Sequence, residues 1–199
     1  MRKDILICGV GGQGTVLASR LIAAAAMEEG NQVHSAETIG MAQRGGSVTS
    51  HVRIGEDAFS PLIAPGTADI LLAFEPAEAV RNLRLLREKG LVIVNTAAVQ
   101  PVTASLRGGY DGREMTAFLR EKRECILVDG DAACAALGSG KFLNVLMLGV
   151  AAGSGALGLR EETLMRRVEE TVPPKYLESN RGAFLAGLEI GKKHRNQSL

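Results

Sequence analysis

Short apolar runs that alternate with helical patterns are the feature that most constrains the fold of this 199-residue chain. Four runs have the length and the β-branched content of buried strands, at residues 3–9, 68–74, 90–96 and 124–130. Helical patterns flank them at residues 14–29, 76–89 and 112–123. Such alternation is typical of right-handed βαβ units. We therefore predict an α/β fold with three layers, α/β/α, around a mainly parallel, Rossmann-like sheet.

Two further segments interrupt this alternation. Residues 31–37 and 46–55 are strand-like, and no helical pattern separates them. Because side chains in the second segment alternate between polar and apolar or small types, we predict a strand pair inserted into the sheet. Beyond residue 131 the pattern indicates a helical C-terminal region, with helices at about residues 160–171 and 178–193. The whole chain, residues 1–199, is predicted to be a single domain.

The charge balance and the hydropathy pattern exclude several function classes. Lys and Arg number 23 against 22 Asp and Glu, which gives no electrostatic reason to expect nucleic acid or an anionic membrane. Residues 142–159 carry no charge, but Asn144, Ser154 and repeated Gly favour a buried helix and loop over a membrane span. The amino-terminal residues show no export signal, so a cytoplasmic location is predicted.

Residues that bind metals are few and widely spaced. The three cysteines form no CxxC pair, so neither a zinc site nor a set of iron–sulfur ligands is predicted; they are Cys8, Cys125 and Cys134. The three histidines also lack a ligand spacing; they are His34, His51 and His194. His51 lies in the alternating strand and is predicted to be packed or on the surface rather than catalytic. No metal site is predicted.

A glycine-rich turn follows the first predicted strand and precedes a helix. Gly9, Gly11 and Gly14 fit the GxGxxG spacing, which permits a tight turn, close approach of a phosphate and close packing of helix on strand. A dinucleotide site also needs an acid near the end of the second strand, and Glu37 is the candidate, although the strand pair interrupts its βαβ frame. Three interpretations remain open: nicotinamide or flavin binding, a purely structural turn, and contact with another phosphate-bearing group or a partner. The candidate contact residues are Gly9, Gly11, Gly12, Gln13 and Gly14.

A second loop, within "GMAQRGGSVTSH" at residues 40–51, has side chains suited to an anion. Arg44 offers a planar fork of donors that matches a carboxylate or phosphate. Gly45 and Gly46 permit close approach, and Gln43 and Ser47 add hydrogen-bonding groups. The loop is therefore either a solvated connection between two strands or a contact with a ligand or partner.

These two stretches together resemble a known family. "GVGGQGTVLASRLIA" and "AETIGMAQRGGSVTSHVRIG", followed by "ADILLAFEPAEAVRNL" and "NVLMLGVAAG", are similar to the gamma subunit or gamma domain of the 2-oxoacid:ferredoxin oxidoreductases. The likeness is strongest to the small subunits of the indolepyruvate type, and it covers nearly the whole chain. It implies that residues 1–199 are one gamma-type domain of this family.

The resemblance implies a reaction for the complex and a subunit that holds its cofactors. Enzymes of the family decarboxylate a 2-oxoacid on thiamine diphosphate with Mg, pass electrons through iron–sulfur clusters to ferredoxin, and release an acyl-CoA. It implies that these cofactors lie on a large partner subunit, that this chain is inactive alone, and that the loop around Arg44 faces the partner and lines a path for CoA or the 2-oxoacid. It assigns no catalytic residue here, and Tyr110, which precedes Asp111 where relatives often have Tyr-Pro, receives no role. The alternatives are a stand-alone NAD(P) or FAD oxidoreductase and a non-enzymatic scaffold subunit.

Overall fold

A single sheet runs through the structure. The computed structural model describes residues 1–39, 46–56, 60–100, 110–136 and 139–197. The described strands form a six-stranded sheet in the order β2-β3-β1-β4-β5-β6. The strands are β1 (Lys3–Val10), β2 (Val33–Ile39), β3 (Ser47–Ile54), β4 (Ala68–Ala73), β5 (Leu86–Asn95) and β6 (Glu124–Val128).

The sheet is mainly parallel with one inserted strand. β1 pairs with β4, β4 with β5, and β5 with β6, all in parallel. β3 lies antiparallel between β1 and β2, and it is the next described element after β2 in the chain. The predicted mainly parallel α/β fold with an inserted strand pair is therefore confirmed. Because β3 runs opposite to β1, its first residue, Ser47, pairs with Val10 at the end of β1.

Helices cover both faces of the sheet. They are α1 (Thr15–Glu28), α2 (Pro76–Asn82), α3 (Gly112–Lys122), α4 (Gly130–Ala136), α5 (Leu143–Gly153), α6 (Glu161–Thr171) and α7 (Leu177–Gln197). One buried cluster joins alternate residues of β1, such as Ile5 and Ile7, to α1, α5, α6 and α7. A second cluster joins Leu6 and Cys8 on the opposite face to α2 and α3. Each cluster fills the interface between the sheet and one layer of helices, so the fold has the three layers α/β/α.

Two predicted element boundaries, the end of the second helix and the start of the strand after it, are wrong. The helix predicted over residues 76–89 ends at Asn82, and β5 begins at Leu86 rather than at residue 90. Leu86 pairs with Ala68 of β4 and is buried, and the N–H of Thr67 donates to the carbonyl of Leu85 at 3.0 Å. This pairing with β4 outweighs the helical pattern of the segment, since tertiary contacts routinely override local preference.

The uncharged segment near residue 150 forms a central helix. All residues of α5 from Val145 to Gly153 are buried, mostly against α7. Two GxxxG pairs meet at this contact, namely Gly149 and Gly153 on α5 and Gly187 and Gly191 on α7. Within the described ranges no single helix is long and apolar enough to cross a membrane; α4 and the segment 140–153 pass that test only as a pair bent by 118°.

Candidate functional site

The candidate site lies at the carboxyl edge of the parallel strands. β1, β4, β5 and β6 all end at this edge, and β3 begins there. The N–H of Gly11 donates to the carbonyl oxygen of Gly46 at 2.8 Å, which joins the glycine turn to the end of the second predicted loop. In open α/β sheets, ligands bind in the crevice outside this edge. Gln43, Arg44 and Gly45 lie outside the described residues.

The space that the first glycine provides is occupied by a side chain of the same turn. The Gln13 Oε1 atom accepts a hydrogen bond from the Val10 N–H at 2.8 Å, and its Nε2 atom donates to the Phe74 carbonyl at 2.9 Å. A Cβ atom on Gly9 would lie 2.7 Å from that Gln13 oxygen, so only glycine leaves room for it. Gln13 thus closes the turn onto the ends of β1 and β4.

The third glycine of the motif serves the packing of two helices. Gly14 is the N-cap of α1 with φ 83°, in the left-handed region that favours glycine. A Cβ atom there would lie 2.7 Å from Asn144 Nδ2, on the first turn of α5. Gly12, with φ 101°, has open space where a Cβ would sit, and it is exposed. In the described residues, therefore, Gly9 and Gly14 have structural roles, and Gly12 presents free backbone at the edge.

The backbone of Phe74, directly after β4, is hydrogen-bonded to residues at the ends of other strands. The Phe74 carbonyl also accepts a hydrogen bond from Asn95 Nδ2 at 3.2 Å, and Asn95 Oδ1 accepts one from the Gly130 N–H at 3.1 Å. One carbonyl oxygen thus links the turn after β1 to the ends of β5 and β6. Gln13, Phe74 and Asn95 are far apart in the sequence, and they meet at this one acceptor.

Two buried carboxyl groups follow on the same segment. Glu75 is 1% exposed, and its side chain accepts hydrogen bonds from the N–H groups of Glu78, at 2.9 Å, and Val99, at 3.4 Å. Burial raises the pKa of Glu75, with a smaller contribution from the charge of Glu78, while the hydrogen bonds oppose the shift. Burial, followed by the charges of Glu78 and Glu75, holds the pKa of Cys8 well above its usual value. Cys8 is therefore a protonated thiol rather than a nucleophile.

Glu78 connects this segment to the start of β3. Its Oε2 atom accepts a hydrogen bond from Ser47 Oγ at 2.6 Å, and its Oε1 atom pairs with Arg81 at 2.7 Å. Sequence analysis identified Ser47 but missed both carboxyl groups. The available signal was the pair of acids in "FEPAE", directly after a buried strand whose carboxyl end points to this edge.

Glu37, the candidate ribose-binding acid, is not placed as in a dinucleotide site. It lies on β2, which is separated from β1 by β3. Its carboxylate lies 3.5 Å from Ser19 Oγ and 3.8 Å from Arg20 Nε, so it contacts α1. In a dinucleotide-binding sheet the second strand lies next to the first, which brings its acid to the ribose. The inserted strand places Glu37 about 5 Å farther out, one strand spacing.

Two other residues singled out in the sequence have local partners. His51, predicted to be either packed or on the surface, is buried, and its Nδ1 atom accepts a hydrogen bond from the Ile63 N–H at 3.1 Å. Burial and the charge of Arg53 lower the pKa of His51. The backbone N–H and carbonyl of Tyr110 bond to the side chain of Gln100 at 3.2 and 2.6 Å. These contacts assign no chemistry to His51 or Tyr110.

A pocket away from this edge is lined by an ion pair that connects two strands. A pocket of about 470 Å³ lies at the opposite end of β1, and its lining includes Asp4 and Arg53. These two side chains form a nearly buried ion pair at 2.8 Å, which joins β1 to β3. Across the part of the chain that the structure describes, no three His, Cys, Asp or Glu side chains come together as a possible metal site.

Comparison with known proteins identifies the family. The family profile described as pyruvate ferredoxin/flavodoxin oxidoreductase matches residues 4–190. Indolepyruvate oxidoreductase subunit IorB of Archaeoglobus fulgidus is 40% identical over 190 residues, which are 94% of each chain. The protein of the same name from Thermococcus kodakarensis is 35% identical over 194 residues, 96% of each chain.

A solved structure supports the same assignment. The gamma subunit of keto/oxoacid ferredoxin oxidoreductase from Geobacter sulfurreducens superposes with a TM-score of 0.71 at 25% identity. The match covers 96% of this chain and 99% of that one. The resemblance found in the sequence is thus confirmed. The chain belongs to the pyruvate ferredoxin/flavodoxin oxidoreductase family.

Proposed function

We propose that this chain is the small, non-cofactor subunit of a 2-oxoacid ferredoxin oxidoreductase of the indolepyruvate type. The observation that carries the proposal is the match to indolepyruvate oxidoreductase subunits IorB over almost the full length of both chains. Residues 1–199 act as one gamma-type domain in a cytoplasmic hetero-oligomer with a large subunit. The physiological acid is an arylpyruvate, by likeness to those relatives.

The reaction of the complex is a CoA-dependent oxidative decarboxylation. The bond between the carbonyl carbon and the carboxylate of the 2-oxoacid breaks, CO₂ leaves, and CoA forms a thioester with the remaining acyl group. An electron pair passes to two ferredoxins, and a proton is released. Thiamine diphosphate with Mg and iron–sulfur clusters, expected on the large subunit, would supply the decarboxylation and electron-transfer chemistry of the complex.

This chain contributes the carboxyl edge of its sheet to the active-site path. The hydrogen bond between Gly11 and Gly46 supports this role, because it holds Gly46 beside the glycine turn at the carboxyl edge, the edge outside which open α/β sheets bind ligands. Gln43, Arg44 and Gly45 directly precede Gly46 in the sequence and lie outside the described residues. Arg44 binds a carboxylate or phosphate of the 2-oxoacid or CoA, since its fork matches both groups.

The geometry around Glu37 disfavours the main alternative. A stand-alone NAD(P) or FAD oxidoreductase needs an acid on the strand adjacent to β1, whereas that neighbour is the antiparallel β3. The side chain of Gln13 also occupies the space above Gly9. Titration calorimetry of the chain with NAD(P) or FAD is therefore expected to give no dissociation constant below about 10 μM, which corresponds to about −7 kcal/mol.

Co-expression with the large subunit tests the proposal. We expect the two chains to purify together and to oxidise arylpyruvates only when both CoA and an electron acceptor such as ferredoxin are present. The chain purified alone is expected to be colourless and inactive. Turnover or iron–sulfur absorbance by the chain alone, or a co-purified complex without CoA-dependent activity, contradicts the proposal.

A further inference from the structure

The outer edge of β2 has no strand beside it. β2 is the last strand on one side of the six-stranded sheet, and among the described residues no hydrogen bond reaches its outer backbone groups. His34, Ser35, Glu37 and Thr38 are all exposed. We infer that two copies of this chain associate through this edge, with their β2 strands antiparallel about a two-fold axis at Ala36. The inference goes beyond the proposed function, because it concerns the chain itself and not the reaction.

β2 lacks the features that commonly keep the edges of two sheets apart. Edge strands of soluble proteins often carry Lys or Pro, contain a bulge, or are very short. β2 contains neither Lys nor Pro, and its seven residues pair with β3 in one uninterrupted register. The opposite edge strand, β6, has five residues and begins within the charged run Glu121–Glu124. Of the two edges, β2 is therefore the one suited to pairing with another strand.

The register with β3 shows which backbone groups of β2 face outward. The Gly55 N–H donates to the Gln32 carbonyl at 2.9 Å, one position before Val33 begins the β2–β3 ladder. Because hydrogen-bonded and non-hydrogen-bonded pairs alternate in an antiparallel ladder, the even-numbered residues of β2 bond to β3. The N–H and carbonyl groups of Val33, Ser35 and Glu37 therefore point away from the sheet, where another strand can bond to them.

A second copy matches this backbone pattern. With Ala36 on the two-fold axis, Ser35 of one copy lies opposite Glu37 of the other, so the outward groups of both strands meet as hydrogen-bonded pairs. The two Ala36 residues face each other as a non-hydrogen-bonded pair, where strands approach most closely and a small side chain fits.

The side chains at these positions are also complementary. Ser35 and the opposing Glu37 lie on the same face of the sheet, close enough for their side chains to bond. Within its own chain Glu37 contacts Ser19 and Arg20 through Oε1 alone, so in the part of the chain that the structure describes its Oε2 atom is available to the Ser35 hydroxyl of the second copy. No like charges lie directly opposite each other in this pairing, and Arg20 accompanies each Glu37.

Sedimentation equilibrium of the chain alone tests the association. Wild type should have twice the mass of a single chain at about 100 μM and should dissociate on dilution, since an interface of this kind is small. Ser35→Pro removes an outward N–H that the ladder with β3 does not use, so it should keep the wild-type Tm but remain monomeric. Ser35→Ala keeps that N–H and, as the matched control, should still form the dimer.

Two results of this experiment overturn the inference. One is a wild-type chain that stays monomeric at that concentration, and the other is a folded Ser35→Pro protein that still forms the dimer. If wild type is monomeric and only Ser35→Pro fails to purify with the large subunit, the edge binds that subunit and not a second copy.

Oxidative cross-linking tests the register, and it decides the question even if Ser35→Pro does not fold. Ala36→Cys places two thiols opposite each other in a non-hydrogen-bonded pair with a Cα separation of about 4.5 Å, within the range of a disulfide. Thr38→Cys is the matched control, because it lies on the same face but opposite His34 of the second copy. We expect Ala36→Cys to form a covalent dimer on mild oxidation and Thr38→Cys to form roughly tenfold less. Equal cross-linking of the two variants, or none in Ala36→Cys, overturns the inference.

Discussion

Replacing Gly149 by alanine should separate the two central helices of the fold. A Cβ atom at this position would overlap the carbonyl oxygen of Phe184 on α7 and would lie 3.0 Å from its carbonyl carbon and 3.1 Å from the Cα of Gly187. Non-bonded carbon atoms normally approach no closer than about 3.5 Å. Because every one of these atoms belongs to the backbone, no rotamer change relieves the overlap, and α5 and α7 must move apart.

The cost follows from two opposing terms. Overpacking a well-packed core costs about 1 to 3 kcal/mol, and contacts with rigid backbone belong at the upper end of that range. Alanine is favoured over glycine in a helix by about 1 kcal/mol, which offsets part of the cost. We therefore expect Gly149→Ala to lower the free energy of unfolding by about 2 kcal/mol, a decrease in Tm of about 4 to 8 °C for a chain of this size.

Thermal unfolding followed by circular dichroism measures this effect. Gly140→Ala is the matched control, because a Cβ atom there meets nothing within 4 Å. Its free energy of unfolding should stay within about 0.5 kcal/mol of wild type. A Gly149→Ala protein as stable as Gly140→Ala would show that close backbone packing does not join α5 to α7.

Three further predictions concern the edge and its surroundings. Gln13→Ala removes the hydrogen bond that the Val10 N–H donates and one of the hydrogen bonds to the Phe74 carbonyl. It should lower the free energy of unfolding by about 1 to 3 kcal/mol in urea titrations. An unchanged urea midpoint would contradict the role of Gln13 in closing the turn. The pKa of His51 is lowered in the fold, so below about pH 6.5 the unfolded chain binds a proton more readily than the folded chain, and wild type loses stability as pH falls. The free energy of unfolding of His51→Gln should fall less than that of wild type between about pH 7.5 and 5. Parallel pH profiles of the two proteins would argue against this role of His51. Arg44→Ala should leave the lone chain as stable as wild type but reduce the rate of the complex roughly tenfold, with partial recovery in Arg44→Lys; wild-type rates in both would remove Arg44 from the site.

Most of the sheet could be predicted from the sequence because its signals are local. Buried strands appear as short apolar runs, and the period-two alternation in residues 46–55 indicated an extra strand. The position of that strand could not be predicted, since it depends on the pairing of Ser47 with Val10 across a long stretch of chain. The same holds for the start of β5, where pairing of Leu86 with Ala68 overrides a helical pattern.

Less of the site than of the fold could be predicted from the sequence. Strand, turn and helix were evident around Gly9 and Gly14. That Gln13 fills the turn depends on Phe74, 61 residues away, and no local pattern reports such a contact. Glu75 and Glu78 resemble ordinary acids at the start of a helix, which are common there because they favour the helix dipole. Only the packing of the edge shows that both are buried.

Reconstitution of the enzyme from separate subunits shows whether this chain is required for turnover. The large subunit is titrated with this chain while the arylpyruvate- and CoA-dependent reduction of ferredoxin is measured. We predict that neither chain alone turns over and that the rate rises with added chain to a plateau at equal amounts of the two. A large subunit that reaches the full CoA-dependent rate without this chain would show that this chain is not a required subunit of the enzyme.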